Sequence, residues 1–210
     1  MRNNKRKRIS GKVGTTETLF DFSGTVAEEF FARSKYPFEV LRSLPEIIER
    51  LSRELSFDFI ELSPCVFVHK TAKISPLATI ERPCIICKMA DIRSGAYIRG
   101  NAIIGENCVV GNSTEIKCSI LLNGAKAPHY NYVGDSILGK NVNLGAGAIL
   151  SNLRLDGKSV RYGGKEFVET GMRKLGGMIG DNAEIGCNCV VTPGAIVKKG
   201  ERIAPLTLIK

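Results

Sequence analysis

The chain has 210 residues, 43% of them hydrophobic and 24% charged, enough for one domain with a small appendage and unlike a disordered tail. No apolar run approaches the ~20 residues that span a bilayer, and the absence of Trp, with 7% aromatics, argues against nucleic acid as a partner. The net charge of +9 is concentrated at the start, where Arg2, Lys5, Arg6, Lys7 and Arg8 fall together.

Residues 1–18 read as a basic, disordered arm. No apolar stretch follows it of the kind a secretory signal requires. Seven cysteines, an odd number, then point to free thiols in a reducing cytoplasm. Residues 19–62 read as a small helical cap. Thr25-x-x-Glu28 and Ser43-x-x-Glu46 have capping-box spacing, Pro37 suits a helix start, and Ile47, Ile48, Leu51 and Leu55 line one helical face. The cap is expected to cover the first turn of the following domain and block an open β edge.

Residues 63–210 follow a different rule. Steps of six from Val68 land on Ile74, Ile80, Ile86, Ile92, Ile98, Ile104, Val110, Ile116 and Leu122. At about one aliphatic in four, chance gives such a run roughly once in a million frames. Four places after each aliphatic stands a mostly small residue, such as Ala72, Ala78, Cys84, Ala90 and Ala96. The frame resumes through Leu138, Leu144 and Leu150, and again from Ile179 to Ile209. Period six is neither helical nor a plain strand. It predicts an all-β fold, a parallel β-helix in which three hexapeptides make one triangular coil and each aliphatic stacks inward on its equivalent. About six coils, spaced ~4.8 Å, give a prism roughly 30 Å long. Cys84-Ile-Ile-Cys87 falls on interior slots and reads as packing, as do Cys187 and Cys189. His69 reads as a surface residue, and two histidines cannot form a three-histidine metal centre, so no metal is expected.

The frame breaks twice, and loop insertions are expected near 123–132 and 152–177. The first break holds His129. The second contains Ser159–Val168, which alternates around Gly163-Gly164 and reads as a β-hairpin.

Three stretches now become specific: Val110-Gly-Asn-x-x-Glu-Ile-Lys117, Lys126-Ala-Pro-His129-Tyr-Asn-Tyr132-Val-Gly-Asp135, and Ile137-Leu-Gly-Lys-Asn-Val-Asn143-Leu-Gly-Ala-Gly147 with Asn152 beyond. Together they resemble the C-terminal domain of bifunctional N-acetylglucosamine-1-phosphate uridyltransferase/glucosamine-1-phosphate N-acetyltransferases. The Ala-Pro-His form, Asn152-Leu-Arg-Leu-Asp156, Thr170-Gly-Met-Arg-Lys-Leu-Gly176 and Pro37-Phe-Glu-Val-Leu41 are similar to the archaeal-type sugar-1-phosphate nucleotidyltransferases. The resemblance covers roughly residues 37–210 and implies a left-handed prism, a homotrimer and active sites between subunits. It implies acetyl transfer from acetyl-CoA to the amine of glucosamine 1-phosphate.

Carried over residue by residue, the resemblance puts the catalytic base on His129. It puts sugar-phosphate contacts on Arg99, Lys117, Tyr132 and Asn143, and a lysine lent by a neighbouring subunit on Lys158. Asn152 and the Ala146 backbone fall near the acetyl-CoA thioester, and Cys187 at a cofactor contact. The chemistry asks for these types independently. An ammonium must lose a proton before it attacks a thioester, and an imidazole titrates in the right range to take it. A phosphate dianion needs cations, and Arg99 and Lys117 are one 18-residue coil apart. Backbone N–H groups of Gly145–Gly147 suit the developing oxyanion. Asp135 reads as a structural turn.

Residues 1–36 are too short for a nucleotidyltransferase domain, so uridyl transfer is not expected of this chain. The family's C-terminal coenzyme-holding segment has no counterpart before Lys210. Lys198, Lys199 and Arg202, or Arg173 and Lys174, are the candidates for the coenzyme phosphates. Two alternatives stand beside this reading. One is an acyltransferase with another amino-sugar or nucleotide-sugar acceptor. The other is a non-catalytic sugar-phosphate-binding subunit, or scaffold, partnered by a separate nucleotidyltransferase.

Overall fold

The computed structural model describes residues 14–210, so most of the basic arm lies outside the described residues. Among them the chain winds through seven three-sided coils of parallel β-helix. Coil 1 runs through Val66–His69, Lys73–Ile74 and Thr79–Ile80. Coil 7 runs through Ile196–Val197, Arg202–Ile203 and Leu208–Ile209. Corresponding strands form three parallel ladders, here the first, second and third faces of the prism. The inward residues Ile86, Ile92, Ile98, Ile104, Val110 and Ile116 are essentially solvent-free and form one continuous core.

The register explains the first break in the repeat, and corrects it. Ile86 pairs with Ile104 and Ile98 with Ile116, 18 residues apart. Ile104 then pairs with Leu121 and Ile116 with Val133, 17 apart. Coils 4 and 5 are each reached by a corner one residue shorter, between Ile116 and Leu121 and between Val133 and Leu138. No loop is inserted at 123–132: Lys126–His129 and Tyr132–Gly134 are regular strands of coil 4. Leu121 fills the inward slot, while Leu122 packs on the outside. The second break is a true insertion, leaving the ladder at Leu150 and rejoining at Met178. Inside it Arg161–Tyr162 pairs antiparallel with Val168–Glu169 around a loop at 163–167.

The helical segment also sits elsewhere than expected. Helices α1 (Thr16–Leu19), α2 (Glu28–Ala32), α3 (Phe38–Arg42) and α4 (Leu44–Glu54) lie along the first face of the prism, not over its end. The reason is visible in that face, whose outward residues Ile85, Ile103, Ile120, Ile137 and Met178 are apolar and buried. Burying such a column stabilises the fold by about 25 cal/mol per Å² removed from water. On the second face the same positions are Lys73, Asp91, Val109, Lys126, Asn143, Glu184 and Arg202, polar at all but Val109, and they need no cover. The segment runs against the direction of coiling: Leu19 O accepts the Asp181 N–H of coil 6 (3.0 Å), while α4 packs on the first-face strands of coils 2 and 3. Tyr162 of the insertion closes the layer, edge-on to Phe38 at 5.2 Å. The edge of coil 1 on the first face is covered instead by strand β1 (Phe59–Ser63), antiparallel to Val66–His69. The capping boxes do not form. Ser43 makes no side-chain cap, and Glu28 reaches the Gly24 N–H, not that of Thr25.

Candidate active site

Alternation along the short third-face strands puts every second side chain outward. Tyr97, Glu115 and Tyr132 therefore stack in one outer column, and Arg99, Lys117 and Gly134 in the next. Arg99 Nη1 donates to Glu115 Oε1 at 2.7 Å, which holds the guanidinium above its usual pKa. Lys117 Nζ lies 3.1 Å from Asp135 Oδ2. Burial opposes the charge on Lys117, but the Asp135 carboxylate and the Cys118 sulfur together outweigh it and the net shift is upward. Asn152 Nδ2 donates to the Tyr132 hydroxyl (3.2 Å) and to Asp135 Oδ2. This meeting needs Gly134: a Cβ there would lie 2.6 Å from Tyr132 Oη and 2.8 Å from Asn152 Nδ2. Burial raises the Tyr132 phenol, so Tyr132 stays a neutral donor.

His129, Ala146 and Cys187 occupy equivalent points on coils 4, 5 and 6, at the corner between the second and third faces. His129 is exposed at the end of its strand, beside Tyr130, which has φ 51° and a 64% exposed ring. A bulky residue in the left-handed region is strained, and the corner is pinned from within by Asn131. That side chain, only 2% exposed, accepts the His129 N–H (3.1 Å) and donates to Gly145 O (2.8 Å). His129 and Tyr132 are three residues apart, so their Cα atoms lie within ~10 Å. The imidazole thus stands at the edge of the face that carries Tyr132.

Of the expected oxyanion donors, Gly145 N–H is taken by Ile185 O (2.7 Å) and Gly147 N–H by His129 O (3.1 Å). Among the described residues Ala146 N–H has no acceptor, which leaves it as the one available donor of that turn. Two further points differ from the sequence reading. Asn152 lies in the Tyr132–Asp135 cluster, across the third face from the Ala146 corner. Cys187 is exposed where packing was expected, whereas Cys189 is buried in the core. Two residues are not brought into the cluster within one chain. Asn143 is exposed on the second face, between Lys126 and Glu184. Lys158 lies in the insertion, against Arg154 and Arg173. Sequence reasoning missed Glu115 and Asn131, and read Asp135 as a structural turn without its contact to Lys117. Asp135 stands one residue past Gly134, the register partner of Lys117, so no fixed spacing in the sequence marks the pair.

No helix among the described residues is long and apolar enough to cross a membrane. The model of the GMPPB C-terminal domain matches residues 80–173, a window that holds His129, Arg99, Lys117, Tyr132, Asn143 and Asn152 but not Cys187. The bifunctional protein GlmU of Methanococcus maripaludis is 46% identical over 114 residues, 54% of this chain and 28% of that protein. The bifunctional sugar-1-phosphate nucleotidylyltransferase/acetyltransferase of Sulfurisphaera tokodaii is 36% identical over 163 residues, 69% of this chain and 41% of that protein. The chain resembles these bifunctional sugar-1-phosphate enzymes. It spans between a quarter and a half of the length of the relatives it matches: GlmU of a second M. maripaludis strain is 36% identical over 178 residues, 83% of this chain and 43% of that protein.

Proposed function

We propose that this chain is an acetyl-CoA-dependent N-acetyltransferase acting on an amino-sugar 1-phosphate, glucosamine 1-phosphate first among the candidates. The observation that carries the reading is the exposed His129 at the edge of the face bearing Arg99, Lys117, Tyr132 and Asn152. His129 takes a proton from the acceptor ammonium, and the freed amine attacks the thioester carbonyl carbon. The Ala146 N–H, free of other acceptors, donates to the oxygen that gains charge. The C–S bond then breaks and the coenzyme leaves as a thiol. Tyr132, with Asn152 behind it, holds the sugar, and Arg99 and Lys117 meet its phosphate. Asn143 and Lys158 lie outside the cluster of one chain, which favours a homotrimer whose neighbours complete each site. Cys187, exposed two coils beyond His129 on the same corner, is the proposed cofactor contact.

A second reading has one observation in its favour. Arg99 and Lys117 are each already paired with a carboxylate, which weakens their pull on a reacting substrate's phosphate and suits a non-catalytic sugar-phosphate-binding subunit, or scaffold, beside a separate nucleotidyltransferase. Calorimetric titration with acetyl-CoA, followed by an acetylation assay with glucosamine 1-phosphate, separates the two. Absence of coenzyme binding sinks the enzymatic reading.

A further inference from the structure

The corner between the second and third faces repeats a slot for a small side chain. Coil by coil, the ladder fills that slot with Ala96, Thr114, Asn131, Ala148 and Cys189. The neighbours of Asn131 are small, so the packing of the prism does not call for an amide there. An amide only 2% exposed costs free energy unless its polar atoms are paired. Asn131 pairs them, and in doing so departs from the neighbouring corners. Ala96, Thr114 and Ala148 each donate their N–H to the carbonyl three residues back, closing their own turn at 3.1, 3.3 and 3.2 Å. Asn131 N–H donates instead to the Thr114 hydroxyl (3.3 Å), and its side chain closes the corner. Oδ1 accepts the His129 N–H (3.1 Å), while Nδ2 donates to Gly145 O (2.8 Å) and Ala148 O (3.3 Å) of the next coil.

Gly145 O and Ala146 N–H belong to one peptide unit. A trans peptide is planar, and its C=O and N–H point in opposite directions. Gly145 O is held into the corner by Asn131 Nδ2 and by the Ala148 N–H, so the Ala146 N–H points out of the corner, away from Asn131. Donation to Gly145 O also polarises that peptide, which makes its N–H a stronger donor. The equivalent N–H one coil earlier is that of His129, and Asn131 Oδ1 already occupies it. One buried side chain therefore closes the N–H of the His129 corner and turns the next one outward. We infer that Asn131 is a positioning residue of the proposed transferase: its amide aims the Ala146 N–H at the thioester oxygen that gains charge, in fixed relation to His129. Being buried, Asn131 touches no substrate itself. The inference rests on the transferase reading, because without an oxyanion the aimed donor has no task.

The test is steady-state acetylation of glucosamine 1-phosphate by the full chain, wild type against Asn131→Ala. Alanine fills the same slot at Ala96 and Ala148, so the variant is expected to fold. Its kcat is expected to fall at least about tenfold, with KM for acetyl-CoA and for the acceptor within about twofold of wild type. The midpoint of the kcat–pH profile is expected to stay in place, since His129 keeps its side chain. Asn131→Val, which has the shape of Thr114 without its hydroxyl, is expected to behave alike and serves as the test should the alanine variant not fold. A kcat within about twofold of wild type in a folded variant overturns the inference. So does a loss that shifts KM or the pH midpoint along with kcat, because a general loosening of the corner moves all three. A wild type that acetylates no amino-sugar phosphate removes the transferase reading, and the inference with it. A wild type that acetylates, with variants that match its rate, removes the role of Asn131 alone.

Discussion

Lys117 Nζ and Asp135 Oδ2 are 3.1 Å apart, with side chains only 15% and 13% exposed. The pair joins coil 3 to coil 4 at one of the corners that is a residue short, where Asp135 N–H also donates to Lys117 O at 2.8 Å. Asp135 adopts φ 48° there, a conformation Asp tolerates better than most residues. The shortened corner therefore delivers a carboxylate to a lysine that would otherwise lack a counter-charge.

Asp135→Asn is expected to cost about 2 kcal/mol of stability, because a partly buried ammonium loses its partner. It is also expected to raise KM for the acceptor more than it lowers kcat, since Lys117 and Asn152 both lose their anchor. Urea unfolding and steady-state kinetics check both parts. Unchanged stability together with unchanged KM would falsify the positioning role.

His129→Ala should lower kcat by about 10²–10⁴, the usual worth of a general base. The ring is exposed, so the thermal midpoint should hold. An undiminished acetylation rate in a folded variant rules His129 out as the base.

The lateral helical layer makes a prediction that an end cap would not. Ile120 faces outward from the prism yet is fully buried. Ile120→Ala should cost ~2–4 kcal/mol through the cavity it leaves. Lys126→Ala, on the solvated second face, should stay within ~0.5 kcal/mol. Equal effects in chemical denaturation would contradict the layer.

The core thiols set an alkaline limit. Burial pushes Cys84 and Cys108 up from 9.0 to about 12. Above pH 9 the unfolded chain releases protons that the native state keeps. Their stabilising contribution is thus complete below pH 9 and is lost as pH rises towards 12, by about 1.4 kcal/mol per pH unit for each group. Unfolding free energies measured from pH 8 to 10.5 should fall, and fall less steeply in Cys84→Ala/Cys108→Ala. A flat profile in the parent protein is the contrary result.

The prism was legible because an inward aliphatic every sixth residue admits one packing solution. The shortened corners were not legible: Leu121 and Leu122 are both aliphatic, so either could fill the inward slot until the register with Ile104 decides. The lateral helices left a trace that went unread, in the doubled aliphatics Ile85-Ile86, Ile103-Ile104 and Ile120-Leu121 on every third strand. Those pairs mark a face buried on both sides. His129, Tyr132 and Lys117 were legible through resemblance and spacing. Asn131 was not, because a polar corner residue gives no sign that it turns inward to satisfy carbonyls of the next coil.

Asp181 draws its ligands from far along the chain: it accepts the N–H groups of Asp21 and Lys140 and lies 3.2 Å from Lys199 Nζ. Asp21 and Asp181 are 160 residues apart in sequence. On the ribosome the amino-terminal strap is made first and must wait for the sixth winding before it can dock. Through that interval the part of the outer apolar column that its leading end covers faces water, so the nascent chain is most exposed to aggregation just before the sixth winding emerges.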